Sequence, residues 1–155
     1  MDSIEIVNYT PQYKEVFRDL NVAWISKYFM MEDADYKALE NADSYIIDNG
    51  GHIVVALLNK LPVGVCALIK MDDPLYDFEL AKMAVDPAAQ GKKIGWLLGE
   101  AVKEKAKELG AKTLYLESNT MLAPAISLYR KLGFIEVMGH ASPYERCNIQ
   151  MALIL

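Results

Sequence analysis

Cysteine, histidine and surplus positive charge are scarce in this chain, and long apolar runs are missing. Only two cysteines occur, Cys66 and Cys147, far apart and outside any metal-ligand spacing. The two histidines, His52 and His140, stand alone in sequence, and isolated histidines make no metal site without further ligands. Lys plus Arg is 16 against 21 for Asp plus Glu, a net charge of −5, which argues against a nucleic-acid partner held through phosphates. No apolar run reaches the roughly 18 residues of a membrane span, so no membrane partner is expected. The start, Met1-Asp2-Ser3-Ile4-Glu5, lacks the basic and apolar regions of a secretory signal, and a reduced, cytoplasmic location is the expectation. Repeats, low-complexity segments and linkers are absent. What is there is 155 residues, 53% hydrophobic and 24% charged. That balance excludes a disordered chain and predicts one domain over 1–155, large enough for a core without disulfides or metal.

The hydrophobic pattern predicts a mixed α/β sheet layered with helices. Ser3 to Tyr9 alternates like a half-buried strand. Pro11 opens a helical stretch in which Val16, Leu20, Ala23 and Trp24 recur at helical spacing, and a short helix follows Glu32. Asn49-Gly50-Gly51 is a turn signal. His52–Leu58 and Val63–Met71 read as paired strands joined by the loop Asn59-Lys60-Leu61-Pro62, and Phe78–Val85 as another strand. Ile94, Leu97, Leu98, Ala101 and Val102 mark one face of a strong helix closed by Gly110. A strand over Thr113–Glu117, a helix over Ala125–Leu132 ended by Gly133, and strands over Phe134–Val137 and Cys147–Leu153 complete the order.

The turn into the strong helix is unusual. Val85-Asp86-Pro87 ends a strand, and Gln90-Gly91-Lys92-Lys93-Ile94-Gly95 follows. A helix start exposes unpaired N–H groups and a partial positive charge. No Ser, Thr, Asp or Asn stands directly before this helix to cap them, and two lysines sit where the dipole disfavours cations. A bound phosphate group accounts for both features. An ordinary strand-to-helix turn with solvated lysines is the alternative. The Walker A spacing and the Rossmann fingerprint are both missing.

The segment Gln90–Gly95 resembles the acyl-CoA-binding motif of the GNAT N-acetyltransferase superfamily, Gln/Arg-x-x-Gly-x-Gly/Ala, with Lys93 standing where the middle glycine is expected. Ala125-Ile126-Ser127-Leu128-Tyr129-Arg130-Lys131-Leu132-Gly133-Phe134 is similar to the family's Ala-x-x-Leu-Tyr-x-Lys-x-Gly-Phe segment. The resemblance implies a mostly antiparallel central sheet of about six to seven strands with about four helices, splayed between the strands before and after the CoA-binding helix. It implies acetyl-CoA as co-substrate and no metal. Met83, Ala84 and Val85 would pair with the pantetheine arm, and Gln90, Gly91, Lys92, Lys93, Ile94 and Gly95 would take the pyrophosphate. The family often carries an Asn where this chain has Leu122. Asn119 is the nearest substitute for holding the arm, a turn-forming Asn being the alternative.

Acetyl transfer to an amine needs a proton acceptor for the ammonium and a donor for the departing thiolate. The resemblance assigns the donor role to Tyr129, a packed core tyrosine on an amphipathic helix being the alternative. Glu79 is the candidate base. By strand alternation it shares a face with Ala81, Met83 and Val85, and burial there raises a carboxyl toward a useful pKa. A solvated or Lys82-paired strand-end charge is the alternative. Trp24 and Tyr28 on the first helix and Tyr144 and Arg146 before the last strand are candidates for the acceptor side, with Arg146 offering its fork to a carboxylate or forming an ion pair. Two acidic runs, Asp72 to Glu79 and Glu32 to Asp43, would attract a cationic amine or simply be solvated. Neither cysteine has a histidine nearby in sequence, so direct attack by the amine is expected. The expected function is N-acetylation of a primary amine on a small molecule or peptide. A CoA-binding sensor without turnover and a plain interaction domain are the other readings. A homodimer is compatible with the resemblance.

Overall fold

The computed structural model describes all residues, Met1–Leu155. A seven-stranded sheet runs through it in the order β1-β2-β3-β4-β5-β7-β6. The strands are β1 (Ile4–Asn8), β2 (His52–Leu58), β3 (Leu61–Lys70), β4 (Phe78–Val85), β5 (Thr113–Ser118), β6 (Ile135–Val137) and β7 (Ile149–Ile154). All neighbours are antiparallel except β4 and β5.

The helices α1 (Lys14–Tyr28) and α2 (Asp33–Glu40) cover one face, and α3 (Ile94–Glu108) and α4 (Ala123–Leu132) cover the other. Central strands buried on both faces split the core in two. Val54 and Ala56 of β2 pack beneath α3 with Leu98 and Val102, while Ile53 and Val55 pack beneath α1 with Phe17 and Ile25. The buried stripe of α1 is Phe17, Asn21 and Ile25, at i, i+4 and i+8. It lies one residue round from the expected Val16–Leu20–Ala23–Trp24 stripe, and Ala23 faces solvent. The reason is Asn21, whose polar side chain is buried because its Nδ2 donates to the Phe17 carbonyl at 3.0 Å.

Other boundaries differ locally. The β2–β3 connection is a two-residue turn, Asn59-Lys60, with φ of 51° and 70°, rather than a four-residue loop. A π-helical turn over Ala42–Ile47, which the pattern did not predict, leads into Gly50 and Gly51. A Cβ on Gly51 would lie 2.4 Å from the Leu68 carbonyl oxygen, so only glycine fits that crossing.

Two departures from a regular sheet open the centre of the molecule. β4 and β5 pair only at Phe78–Leu114 and Glu79–Tyr115, and then diverge. The Asp77 carboxylate, accepting from the Lys112 and Thr113 N–H groups at 2.8 and 3.2 Å, pins the point where they start together. Beyond it, the β4 edge from Leu80 to Val85 has no neighbouring strand on that side. In addition β4 bulges. Val65 faces Ala84 and Ala67 faces Ala81, so two residues of β4 stand opposite Cys66. Lys82, one of the two, is left-handed with φ 53°.

Candidate active site

Two hollows meet in the gap between β4 and β5. The larger, about 800 Å³, is a groove bounded by the β4 edge at Met83–Val85, the Ala89–Gly95 turn and α4. One end of it carries free main-chain donors. The first helical bond of α3 runs from the Leu97 N–H to the Lys93 carbonyl, 3.1 Å, and the preceding N–H groups of Lys92 to Trp96 have no protein partner. No side chain caps this helix. Gly91 has φ 84° and Lys93 has φ 63°, so the chain passes twice through the left-handed region to aim these donors the same way. A Cβ on Gly91 would meet nothing within 4 Å, which leaves open space over the turn. A row of free amides, a helix start and open space suit a diphosphate, and the unpaired β4 edge suits an extended amide-bearing chain. These features fit coenzyme A.

Gln90, Gly91, Lys93, Ile94, Gly95, Met83, Ala84 and Val85 line the groove. Lys92 does not. Its Nζ is 2.7 Å from Asp2 on the surface, while its N–H belongs to the row of free amides. Asn119 is likewise outside the groove. Its Nδ2 donates to the Arg146 carbonyl at 2.8 Å and its Oδ1 accepts from the Met121 N–H at 2.9 Å. Its carboxamide ties β5 to the loop before β7, and the residue borders the smaller hollow that meets the groove.

The second hollow is a smaller cavity of about 110 Å³ behind the groove. Trp24, Met83, Ala125 and Tyr129 line both. Tyr129 therefore stands at the junction, with its ring edge-on to Phe134 at 6.3 Å. The turn at Gly133 (φ 109°), closed by the Phe134 N–H on the Tyr129 carbonyl at 3.0 Å, sets that orientation. Burial raises the Tyr129 phenol pKa, so the hydroxyl keeps its proton at neutral pH.

Glu79 lines the cavity, with its carboxyl pushed up to about 7 by burial and by the neighbouring Glu117, against the pull of Lys82 and His140. Glu117, which the sequence reading passed over, is held in place: Tyr115 donates to its Oε2 at 2.7 Å and Ser142 to its Oε1 at 2.8 Å. Tyr115 in turn stacks on Tyr76 (5.0 Å) and lies tilted against His140 (4.5 Å), whose Nε2 is 2.8 Å from Asp73.

The acceptor-side candidates separate. Trp24 and Tyr144 line the cavity. Tyr28 does not, lying edge-on against Trp24 at 4.8 Å on the outer side. Arg146 lines it, but its fork is engaged by Asp35, with bonds of 2.7 and 2.6 Å, and by Glu32 at 3.3 Å. Asp35 is fully buried and also accepts from Lys82 at 2.5 Å. Burial by itself drives the Asp35 carboxyl upward; Arg146, Lys82 and the Glu32 N–H overcome it and hold it at about 2. The acidic runs divide: Asp33, Glu40 and Asp72 are exposed to solvent, while others are tied into the fold. Asp35, Asp73 and Asp77 each have fixed partners. Asp35 gave itself away only by its place three residues after Glu32, where the two form a reciprocal helix cap. Cys147 lines the cavity with its thiol donating to the Ile149 carbonyl and its pKa raised by burial and Glu117, which disfavours a thiolate.

Fold and hollows define a transferase-like arrangement: an amide-lined anion site leading past a phenol to a buried carboxyl. Comparison with known proteins agrees. The acetyltransferase (GNAT) family profile matches residues 13–134. An IAA acetyltransferase of Azospirillum brasilense is 30% identical over 131 residues, covering 74% of this chain and 84% of that protein. A GNAT-family acetyltransferase from Staphylococcus aureus superimposes with a TM-score of 0.86 at 25% identity, covering 98% of this chain and 99% of that one. The PaiA N-acetyltransferase of Thermoplasma acidophilum, solved with coenzyme A, superimposes with a TM-score of 0.75 at 18% identity, over 99% of both chains. The chain belongs to the acetyltransferase (GNAT) family.

Proposed function

We propose that this protein transfers the acetyl group of acetyl-CoA to a primary amine by direct attack. Bound acetyl-CoA supplies the activated thioester. The free amides from Lys92 to Trp96 bind its diphosphate, with Lys93 adding charge, and the open β4 edge at Met83–Val85 pairs with the extended arm. Glu79 takes one proton from the ammonium, directly or through water. The nitrogen–carbon bond forms, the carbon–sulfur bond breaks, and Tyr129 donates its proton to the departing sulfur, recovering one from solvent as the second amine proton is released. Trp24 and Tyr144 wall the acceptor.

The observation that carries this reading is the position of Tyr129, shared between groove and cavity, with Glu79 raised to about 7 in the cavity wall. A sensor that only binds coenzyme A has no use for such a carboxyl. Thiol release with acetyl-CoA over a panel of amines, alongside calorimetry with coenzyme A, tests it. Binding with amine-dependent release is expected. Binding without release from any amine would leave the sensor; no binding would remove both.

A further inference from the structure

The acceptor cavity is electrically two-sided. Glu79 and Glu117 stand in its wall, and so do Lys82 and Arg146. Regular alternation along β4 would put Glu79 and Lys82 on opposite faces. The bulge at Lys82 (φ 53°) brings both to the same cavity, in a backbone conformation that a lysine rarely adopts. The result is a cation with only 5% of its side chain exposed, in the middle of a strand whose other charge is the candidate base.

The cations retain bonding capacity. The Lys82 ammonium has three donors and uses two, to Asp35 at 2.5 Å and to the Tyr144 hydroxyl at 2.9 Å. Arg146 has five donors and uses three, which leaves the Nε–H and one N–H of the outer edge. The Tyr144 ring lies against both, 4.7 Å from the Lys82 Nζ and 4.5 Å from the Arg146 guanidinium carbon. Asp35, fully buried behind them, lines no part of the cavity. It is a positioning residue that holds two like charges side by side. A hollow of about 110 Å³ with carboxylates and half-satisfied cations in its walls is a poor site for a simple alkylamine, which has nothing to offer the cations.

We infer that the acceptor is a small amino-carboxylate, such as a free amino acid, whose carboxylate is received by Lys82, with help from the spare Arg146 donors, while its amine faces Glu79. The inference rests on the N-acetyltransferase reading above and adds the substrate class.

The test is a thiol-release panel of free L-amino acids, their carboxamides and the matching decarboxylated amines, run with native protein, Lys82→Met and Lys82→Arg, each checked for folding by thermal melting. The best free acid exceeds its own carboxamide in kcat/KM by roughly 10- to 100-fold, the value of a charge-assisted hydrogen-bonded contact, and the difference lies mainly in KM. Lys82→Met brings the acid-to-amide ratio close to one, and Lys82→Arg restores part of it. Amides or amines used as well as acids by the native protein would overturn the inference while leaving acetyl transfer standing, and so would a ratio unchanged in Lys82→Met. That comparison within the native protein decides even if Lys82→Met fails to fold. Release from no member of the panel, with coenzyme A still bound, would overturn the inference; release from amines outside the panel would then show that N-acetylation itself survives.

Discussion

The groove and the cavity are built by different means. The groove offers its ligand main-chain groups between apolar side chains: free amides ahead of Leu97, two left-handed residues, and a β4 edge left bare where β5 turns away, beside Trp24, Trp96 and Leu128. The cavity is mostly side chain, contributed by α1, β4, β5, α4 and the loop before β7. Main-chain geometry is dictated over a few consecutive residues and tolerates many side chains. A side-chain cavity depends on partners far apart in sequence, as with Asp35 and Arg146, and one substitution changes it. This division predicts that the groove binds a shared cofactor, and that the cavity decides the chemistry and the acceptor.

Glu79→Gln should break the cavity's chemistry while leaving the groove intact. It preserves shape and removes the proposed base, so kcat/KM should fall by about 10²- to 10⁴-fold with coenzyme A affinity unchanged by calorimetry. In the native protein kcat/KM rises with pH up to about 7 and then levels, because only ionised Glu79 accepts a proton. The variant lacks that limb. Stability moves the opposite way. The folded state keeps the Glu79 proton between the usual carboxylate range and about 7, while the unfolded chain releases it, so native stability declines as pH rises through that window. Melting curves of Glu79→Gln should lose this decline. Equal pH–rate profiles for the two proteins would remove Glu79 as the base.

Asp35→Asn tests whether the cavity depends on its buried ion cluster. Two cations lose their counter-charge in a buried place, and stability falls by about 3–5 kcal/mol, lowering Tm by roughly 6–20 °C. Asp35 is held at about 2, below the usual 3.8, so it stabilises the fold above that usual value, and the contribution disappears as pH falls from about 4 to about 2. The variant's Tm should be flatter than the native one across that acid range. A fall of less than about 1 kcal/mol would show that the cluster is not what holds the loop of Tyr144 and Arg146 to α2.

The same contrast explains what the sequence revealed. The groove was legible because Gln90–Gly95 and Ala125–Phe134 are contiguous, and Gly91 and Gly133 mark left-handed backbone that other residues adopt only under strain. Lys92 belongs to that run through its amide, and only the fold shows that its side chain pairs with Asp2, ninety residues away in sequence. Glu79 stands out as a carboxyl in an apolar strand, but the bulge at Lys82 turns Met83 and Val85, expected on its face, to the other side with Leu80. Glu117 and Lys82 do not stand out. The first takes its meaning from Tyr115 and Ser142, and the second from a bulge that no local pattern announces. Arg146 was noticed for its fork, but its partner lies on α2, more than a hundred residues away in sequence.

Tyr129→Phe acts at the boundary between the two hollows. The phenol has no hydrogen-bond partner in the protein, so removing its oxygen costs little stability, and Tm should stay within a degree or two. A thiolate is a fair leaving group, so the loss in kcat falls at the low end of general-acid effects, about 10²-fold, with KM for the acceptor little changed. A KM effect without a kcat effect would recast Tyr129 as part of the acceptor wall alone.

Lys93→Gly has the smallest expected effect and makes the sharpest distinction within the groove. Position 93 is where the family motif places a glycine, and here a lysine occupies it at φ 63°. A side chain in the left-handed region costs about 1–2 kcal/mol, of which the extra freedom of glycine in the unfolded chain cancels part. Lys93→Gly should therefore stabilise the protein by about 0.5–1 kcal/mol, a rise in Tm of roughly 1–4 °C. The same substitution removes a cation from the groove lining, so coenzyme A should bind roughly 2- to 5-fold more weakly at low salt, the gap closing as salt screens it. Opposite signs for stability and affinity would mean that this chain keeps a strained residue for its charge. A gain in both would show that the lysine contributes nothing to the groove, and that the amides alone grip the diphosphate.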